Sequence, residues 1–484
     1  MVDNPPEVYF GDNDDDNESD SDEEGGDSTM EDTDDTPRCV KLELDENIAA
    51  HKENRELMRE TEVVSCSNSL VENVTSNYII AKQIISNLPW QEKMMCENVC
   101  STWHSAVQAL KKEQMGPEDF VINYQSTSLK YGTTFLQSGT FYTEPLVVMT
   151  FANTTGLTLI SKCEAITPCP CKEPCEKEHS LLDLVNHKAN APKNNLHAIK
   201  ANYISYVPLP NSITYEHAIL HLKNKPFIGG LYIPMIPGVE FHTIHIKSNP
   251  ISIREAFYDV VEKIATKKIF KGILVYVTER YLLHTVEDIV FLNYFKEVQP
   301  DIPYALGGCI IEDTVFDESD INLIVEGVND GTDFMSDNLL SIGFFSIPKN
   351  SNNTENFDMF SLILESSDWS KQIIQQSINE FAKKVPKFEH SVAIKLSCVG
   401  RDLKHKLEQD LFRAAFPNTR IIGCYGNGEL GLNHPAKPAP DTIPNAVKRH
   451  RRDPGPQYGL MYSYSTVFVY IGWGKILANP SKSN

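Results

Sequence analysis

The hydrophobic pattern changes character twice along the chain. Up to about residue 70 apolar side chains are sparse and without period, and residues 12–24 are almost all Asp, Asn, Ser and Glu. Such a stretch buries too little to offset the entropy of ordering, so residues 1–70 are expected to form a disordered acidic tail. From Asn77 onward, Ile79, Ile80, Ile84, Ile85 and Leu88 recur at helical spacing, with Ser76 placed to cap the first turn. Leu88-Pro89 ends that helix, and Pro89 suits the start of the next, where a missing N–H costs nothing. Met94, Met95, Val99, Cys100, Trp103 and Val107 supply a second apolar set. The spacing predicts a compact helical hairpin or trio of about 40 residues within 74–120.

Beyond residue 130 the pattern becomes mixed. Val147–Phe151 reads as a strand, and Thr167–Asn195, rich in Pro, Cys, Lys and Asn, reads as a loop. Strands at Phe227–Ile233 and Val239–Ile246 precede a helix at Ser252–Lys267, whose Ser252 and Glu255 have capping-box spacing. A strand at Ile273–Val277, a helix at Thr285–Val298 and a strand at Tyr304–Leu306 lead into Gly307-Gly308. The same order returns as strands Ser341–Ile347 and Phe357–Leu364, helix Ser367–Val385 and strand Ser391–Cys398. Helix Asp402–Phe416, through Leu403, Leu407 and Leu411, and strand Arg420–Gly423 then lead to Gly426 and Gly428. Ser465–Ile471 reads as a closing strand. The expected class is α+β: a small helical domain, then a mixed body of two similar halves, 125–335 and 336–478. The second half carries a flexible Pro-rich and basic loop at 433–459.

Charge changes the picture little. Residues 1–35 hold sixteen Asp or Glu and no Lys or Arg, which accounts for most of the net −22; the rest carries 50 acidic against 44 basic side chains. Nothing in the body reads as a nucleic-acid surface. No apolar run approaches the roughly 18–20 residues of a membrane span, and the acidic start is the reverse of a secretion signal. The eleven Cys are therefore expected to be reduced thiols, in cytoplasm, nucleus or both.

The segment 74–120 resembles an F-box, on Leu88-Pro89 followed by Val99-Cys100-x-x-Trp103 in a helical frame. It departs from the family where many F-boxes open with their own Leu-Pro; here that place holds Val74-Thr75-Ser76-Asn77. The body resembles a FIST domain. Ile394-Lys395-Leu396-Ser397-Cys398-Val399-Gly400-Arg401, Phe412–Pro417 and Gly423-Cys424-Tyr425-Gly426-Asn427-Gly428-Glu429-Leu430-Gly431 look like its C-terminal part, and Tyr304–Cys309 like its N-terminal part. F-box proteins with FIST domains are substrate-recognition subunits of Skp–cullin–F-box ubiquitin ligases. The resemblance thus implies a Skp-family adaptor and a cullin as partners, protein substrates destined for the proteasome, no cofactor and no catalysis by the chain itself. The residues it points to for the adaptor are Ile80, Ile84, Leu88, Pro89, Val99, Cys100 and Trp103. A small-ligand sensor built on the FIST pocket is the alternative.

Several residues invite chemistry beside a plainer reading. Gly307, Gly308, Gly426, Asn427 and Gly428 are placed either to offer backbone N–H groups in a shared pocket or to make tight turns. Cys398, Gly400, Arg401 and Glu429 belong to the same candidate pocket, Cys398 standing before a helix start, where a thiol's pKa is lowered. Cys163, Cys169, Cys171, Cys175 and His179 are enough donors for zinc, but they lack paired Cys-x-x-Cys knuckles and alternate with prolines, so a loop of free thiols is the rival. Lys448–Arg452 is a nuclear-import signal or a solvated loop, and Ser19 and Ser21 sit at acid-directed kinase spacing or in a plain solvated tail.

Overall fold

A computed structural model describes residues 68–126, 131–162, 166–167, 178–189, 195–220, 225–247, 253–284, 292–311, 338–350, 355–365, 368–436 and 461–478. Residues 1–67 of the expected tail and 437–459 of the expected basic loop, with Ser19, Ser21 and Lys448–Arg452, lie outside them; residues 68–70 are instead helical, and Asn433 and His434 are held by hydrogen bonds to the backbone of Ile363 and Ser361. A first helix, α1 (Asn68–Ser76), leads into α2 (Tyr78–Ser86), α3 (Trp90–Cys96) and α4 (Ser101–Glu113). The cap of α2 is Asn77, not Ser76: its Oδ1 accepts from the N–H groups of Ile79 and Ile80 at 3.0 and 3.3 Å. Ser76 belongs to α1, where its hydroxyl donates to the Glu72 carbonyl. The three helices α2–α4 bury Ala81, Ile85, Ala106, Val107 and Leu110, with Cys96 and Trp103 packed against them.

The body opens with β1 (Glu118–Ser126), β2 (Tyr131–Gln137), β3 (Pro145–Ala152), the short helix α5 (Thr154–Thr158), β4 (Ile160–Lys162), β5 (Ile166–Thr167) and β6 (Glu178–Ser180). Helix α6 (Leu181–Ala189), β7 (Leu196–Lys200), β8 (Tyr203–Val207) and β9 (Ile228–Pro234) follow. The expected loop 167–195 thus holds a strand and a helix, whose Leu181, Leu182, Leu184 and Val185 are buried. Next come β10 (Glu240–Lys247), α7 (Ile253–Lys267), β11 (Lys268–Thr278), α8 (Glu279–His284), α9 (Tyr294–Val298), β12 (Ala305–Ile311) and β13 (Asn338–Pro348). The last part runs β14 (Asp358–Leu364), α10 (Lys371–Lys384), β15 (Lys387–Cys398), α11 (His405–Ala415), β16 (Arg420–Gly426), β17 (Glu429–Leu432), β18 (Met461–Tyr462) and β19 (Thr466–Ala478).

These strands form three large sheets, ordered β5-β2-β1-β9-β3-β7, β10-β13-β11-β12-β17-β18 and β14-β19-β15-β16-β8. The α+β class holds, and the repetition extends beyond two similar halves to a third copy. Each sheet contains the same four-strand unit, β1-β9-β3-β7, β10-β13-β11-β12 and β14-β19-β15-β16. In each, two antiparallel pairings are followed by one parallel pairing, and helices cross over between the parallel strands. Strands also pass between copies: β8, from the first, pairs with β16 in the third, and β17, from the third, pairs with β12 in the second.

One face of every sheet enters a common core, where Phe151 and Leu231 meet Tyr276, Cys309 and Phe345 from the second sheet and Ile394, Cys424 and Val469 from the third. The opposite faces are covered by the helices of their own copies: α6 on the first sheet, α7 and α9 on the second, α10 and α11 on the third. A buried polar knot ties the first strand to the third sheet. Asp119 accepts from Tyr206 Oη at 2.5 Å and Thr214 Oγ1 at 2.6 Å, and pairs with Arg420.

Candidate functional site

The helical hairpin buries one face and leaves another apolar. Ile79 is 74% exposed, Met95 67%, Val99 56%, and Ile80 and Ile84 about 40% each. Isolated exposed apolar side chains are ordinary, but five large ones gathered on α2, α3 and the turn before α4 form a row, and rows mark interaction sites. The residues the sequence nominates for the adaptor divide in two. Ile80, Ile84, Pro89 and Val99 face solvent, whereas Leu88, Cys100 and Trp103 are half-buried in the hairpin. Ile79 and Met95 were legible in the helical periodicity, which does not tell the buried side of so short a helix from the open one.

The hairpin is fixed to the body. The Lys93 ammonium donates to Gln114 Oε1 at 2.7 Å and to the Tyr142 carbonyl at 2.9 Å. The indole N–H of Trp473, on β19, donates to the carbonyl of Met115 just past α4 at 2.8 Å. Lys82–Glu113 and Lys111–Glu97 ion pairs close the helices on one another at 2.6 and 3.0 Å.

The second cluster lies at the ends of β15 and β16. Parallel β15 and β16 bring Ser397 and Cys398 beside Tyr425 and Gly426. A turn of 3-10 helix over Val399–Lys404 separates them from α11. Arg401, wholly buried, pairs with Glu408 at 2.6 Å, and Glu408 also accepts from Thr466 Oγ1 at 2.7 Å. Ser397 Oγ lies 2.6 Å from Thr466 Oγ1 and 3.3 Å from His405 Nδ1. Glu429, 1% exposed, accepts from the N–H and hydroxyl of Ser465 at 3.1 and 2.8 Å. Burial pushes its carboxyl up to about 7. Lys395, also buried, donates to the His405 carbonyl and toward Tyr425 Oη, and burial pushes its amine down to about 8.

Cys398 departs from expectation here. Its thiol pKa is raised, by burial first and then by the Glu429 carboxyl beside it. The adjoining turn is 3-10 and α11 starts seven residues on; backbone hydrogen bonds from Gly400 and Tyr464 act to lower the thiol's pKa but do not outweigh burial and Glu429. His405 bonds Ser397 rather than Cys398. Gly400 is needed for packing, because a Cβ there would sit 2.9 Å from the Tyr464 ring.

The glycines serve close packing, Gly307 against a side chain and Gly308 and Gly426 against backbone. A Cβ on Gly307 would meet Val469 at 2.3 Å, one on Gly308 the Val275 carbonyl oxygen at 2.3 Å, and one on Gly426 the Ile310 carbonyl oxygen at 2.0 Å. Gly426-Asn427-Gly428 is no hairpin turn, since β16 and β17 belong to different sheets. The segment crosses from the third sheet to the second, with Asn427 N–H donating to Ile310 O and Ile310 N–H to Gly428 O, both at 2.9 Å. The Asn427 side chain donates to Glu279 on α8. Cys163, Cys169, Cys171 and Cys175 lie outside the described residues; His179 is on β6, paired with β4.

Among the described residues, no helix is long and apolar enough to cross a membrane. No protein-family model and no curated protein matches the chain. A solved structure of cyanuric acid hydrolase from A. caulinodans matches 68% of this chain and 90% of its own, at 7% identity and a TM-score of 0.27. The expectation that the chain is no enzyme is withdrawn on that finding, because the matched protein is a hydrolase. So distant a likeness assigns no activity to this chain.

Proposed function

We propose that the chain is the substrate-recognition subunit of a Skp–cullin–F-box ubiquitin ligase, joining a Skp-family adaptor through the hairpin and a protein substrate through the body. The reading rests on one observation above the rest: the row Ile79, Ile80, Ile84, Met95 and Val99 stays open to solvent although the hairpin has a complete small core of its own. Five large apolar side chains on two short helices and the turn after them gain by burial against a partner, at about 25 cal/mol per Å² removed from water. The ties at Lys93 and Trp473 make the hairpin a handle on the body, so a substrate held there stays near the ubiquitin-charged enzyme and gains by proximity.

Copurification of the full chain with a Skp-family adaptor and cullin tests the reading. Ile79→Glu with Ile84→Glu is expected to abolish the complex and leave the melting temperature within about 2 °C, because both side chains are already exposed. Undiminished copurification of that double variant would overturn it.

A further inference from the structure

Two cysteines meet where the second sheet faces the third. Cys309 on β12 and Cys424 on β16 are wholly buried in the common core, their sulfurs 3.3 Å apart. They hold matching places in their copies. Each is the fifth residue of the later strand of a parallel pair, and each follows a glycine, Gly308 or Gly423. A Cβ on either glycine would meet the carbonyl oxygen of the strand beside it, Val275 at 2.3 Å and Lys395 at 1.7 Å. The sulfurs of a disulfide lie about 2.0 Å apart, so closing this pair takes a shift of about 1 Å in side chains already directed at each other. The crossover from β16 to β17 runs alongside. There Asn427 N–H donates to Ile310 O and Ile310 N–H to Gly428 O, and Glu429 lies opposite Cys309 in the β12–β17 register. A bond between the sulfurs would add a covalent tie where the two copies already exchange hydrogen bonds. Burial first, then Cys424 and Glu429, hold the Cys309 thiol far above its usual range, so the pair rests protonated and answers sustained oxidant rather than a brief pulse.

We propose that Cys309 and Cys424 form a reversible disulfide when the protein meets hydrogen peroxide, tying the second sheet to the third. One sulfur attacks a peroxide oxygen, the O–O bond breaks, and a sulfenic acid and one water result. The other sulfur displaces the sulfenic oxygen, which leaves with the second thiol proton as another water. Two thiols and one peroxide thus give one disulfide and two waters. Peroxide is uncharged and little larger than water, and it reaches the pair through local openings of the core. With the second thiol 3.3 Å away, the sulfenic acid is resolved before another peroxide carries it to irreversible sulfinic acid. The pair stands apart from the ligase reading and does not depend on it.

The test holds the full-length protein in hydrogen peroxide, then follows melting temperature and maps peptides by mass spectrometry without reduction. The expected result is a peptide pair joined through Cys309 and Cys424, and a melting temperature raised by roughly 3–6 °C, because the bond links positions 115 apart in the chain. Dithiothreitol should reverse both. Cys309→Ala, or Cys424→Ala should the first fail to fold, is expected to lose the rise. Recovery of both cysteines as thiols or as sulfinic acids, or a rise that persists in the alanine variant, overturns the proposal. If neither variant folds, the peptide map of the parent decides alone.

Discussion

Glu429 holds a carboxyl in the interior with Ser465 and the Cys398 thiol donating to it, and its pKa of about 7 against 4.5 in the unfolded chain gives stability a definite pH slope. The folded state binds the extra proton, so this contribution is complete below about pH 4.5 and is lost as pH rises through about 7. Glu429→Gln removes the slope and is expected to be more stable than the parent above pH 7, by roughly 1–3 kcal/mol. Urea unfolding at pH 5.5 and 8 checks it; parallel loss of stability in parent and variant would refute it. Arg401 behaves in the opposite sense, because Arg401→Met strands Glu408 and is expected to destabilise by about 3–5 kcal/mol at neutral pH, read as a fall in the urea midpoint. The sequence placed Cys398, Arg401 and Glu429 together and could not rank them. Burial decides their behaviour, and burial here is set by β19 and the Ser465 turn, more than thirty residues beyond any of them. The backbone of Tyr464 in that turn is held at φ 54°, with its carbonyl on Arg401, a constraint invisible in an unremarkable Tyr-Ser pair.

Helices with a clean apolar stripe and a proline stop were readable, as α2 shows with Ile85 buried and Leu88-Pro89 at its end. Ends were less so. Asn77 and Ser76 are both good caps, and only the presence of α1 before them awards the role to Asn77. Leu403 was counted into the stripe of a helix from Asp402, yet it is 97% exposed, because the chain there is 3-10 and the α-helical period starts at His405. Within the hairpin, Ile85→Ala removes a wholly buried side chain and is expected to cost about 2–4 kcal/mol in hairpin stability, seen as early hydrogen exchange over α2–α4. Ile84→Glu, one residue away and exposed, should leave that exchange unchanged.

The three-fold repetition of the sheet unit was legible in two copies only. In the second and third copies helices alternate with strands at similar intervals, whereas the first inserts β2 as a hairpin after β1 and covers its sheet with the short α5 and α6. Its opening strand also starts with two acidic residues, Glu118 and Asp119, and Tyr206, Thr214 and Arg420 converge on Asp119. That knot joins the first strand of the body to the third sheet, so Asp119→Ala is expected to lower whole-body stability by about 3–5 kcal/mol in a single cooperative transition. Two separate transitions would show that the sheets do not share one core. For the molecule as a whole, the central claim is that the exposed hairpin row joins this body to a Skp-family adaptor. Size-exclusion chromatography with light scattering on the purified full chain and adaptor tests it most directly. A one-to-one complex that Ile79→Glu with Ile84→Glu abolishes, at unchanged melting temperature, is the predicted result. No complex with the parent chain, or an equal one with the double variant, would contradict it.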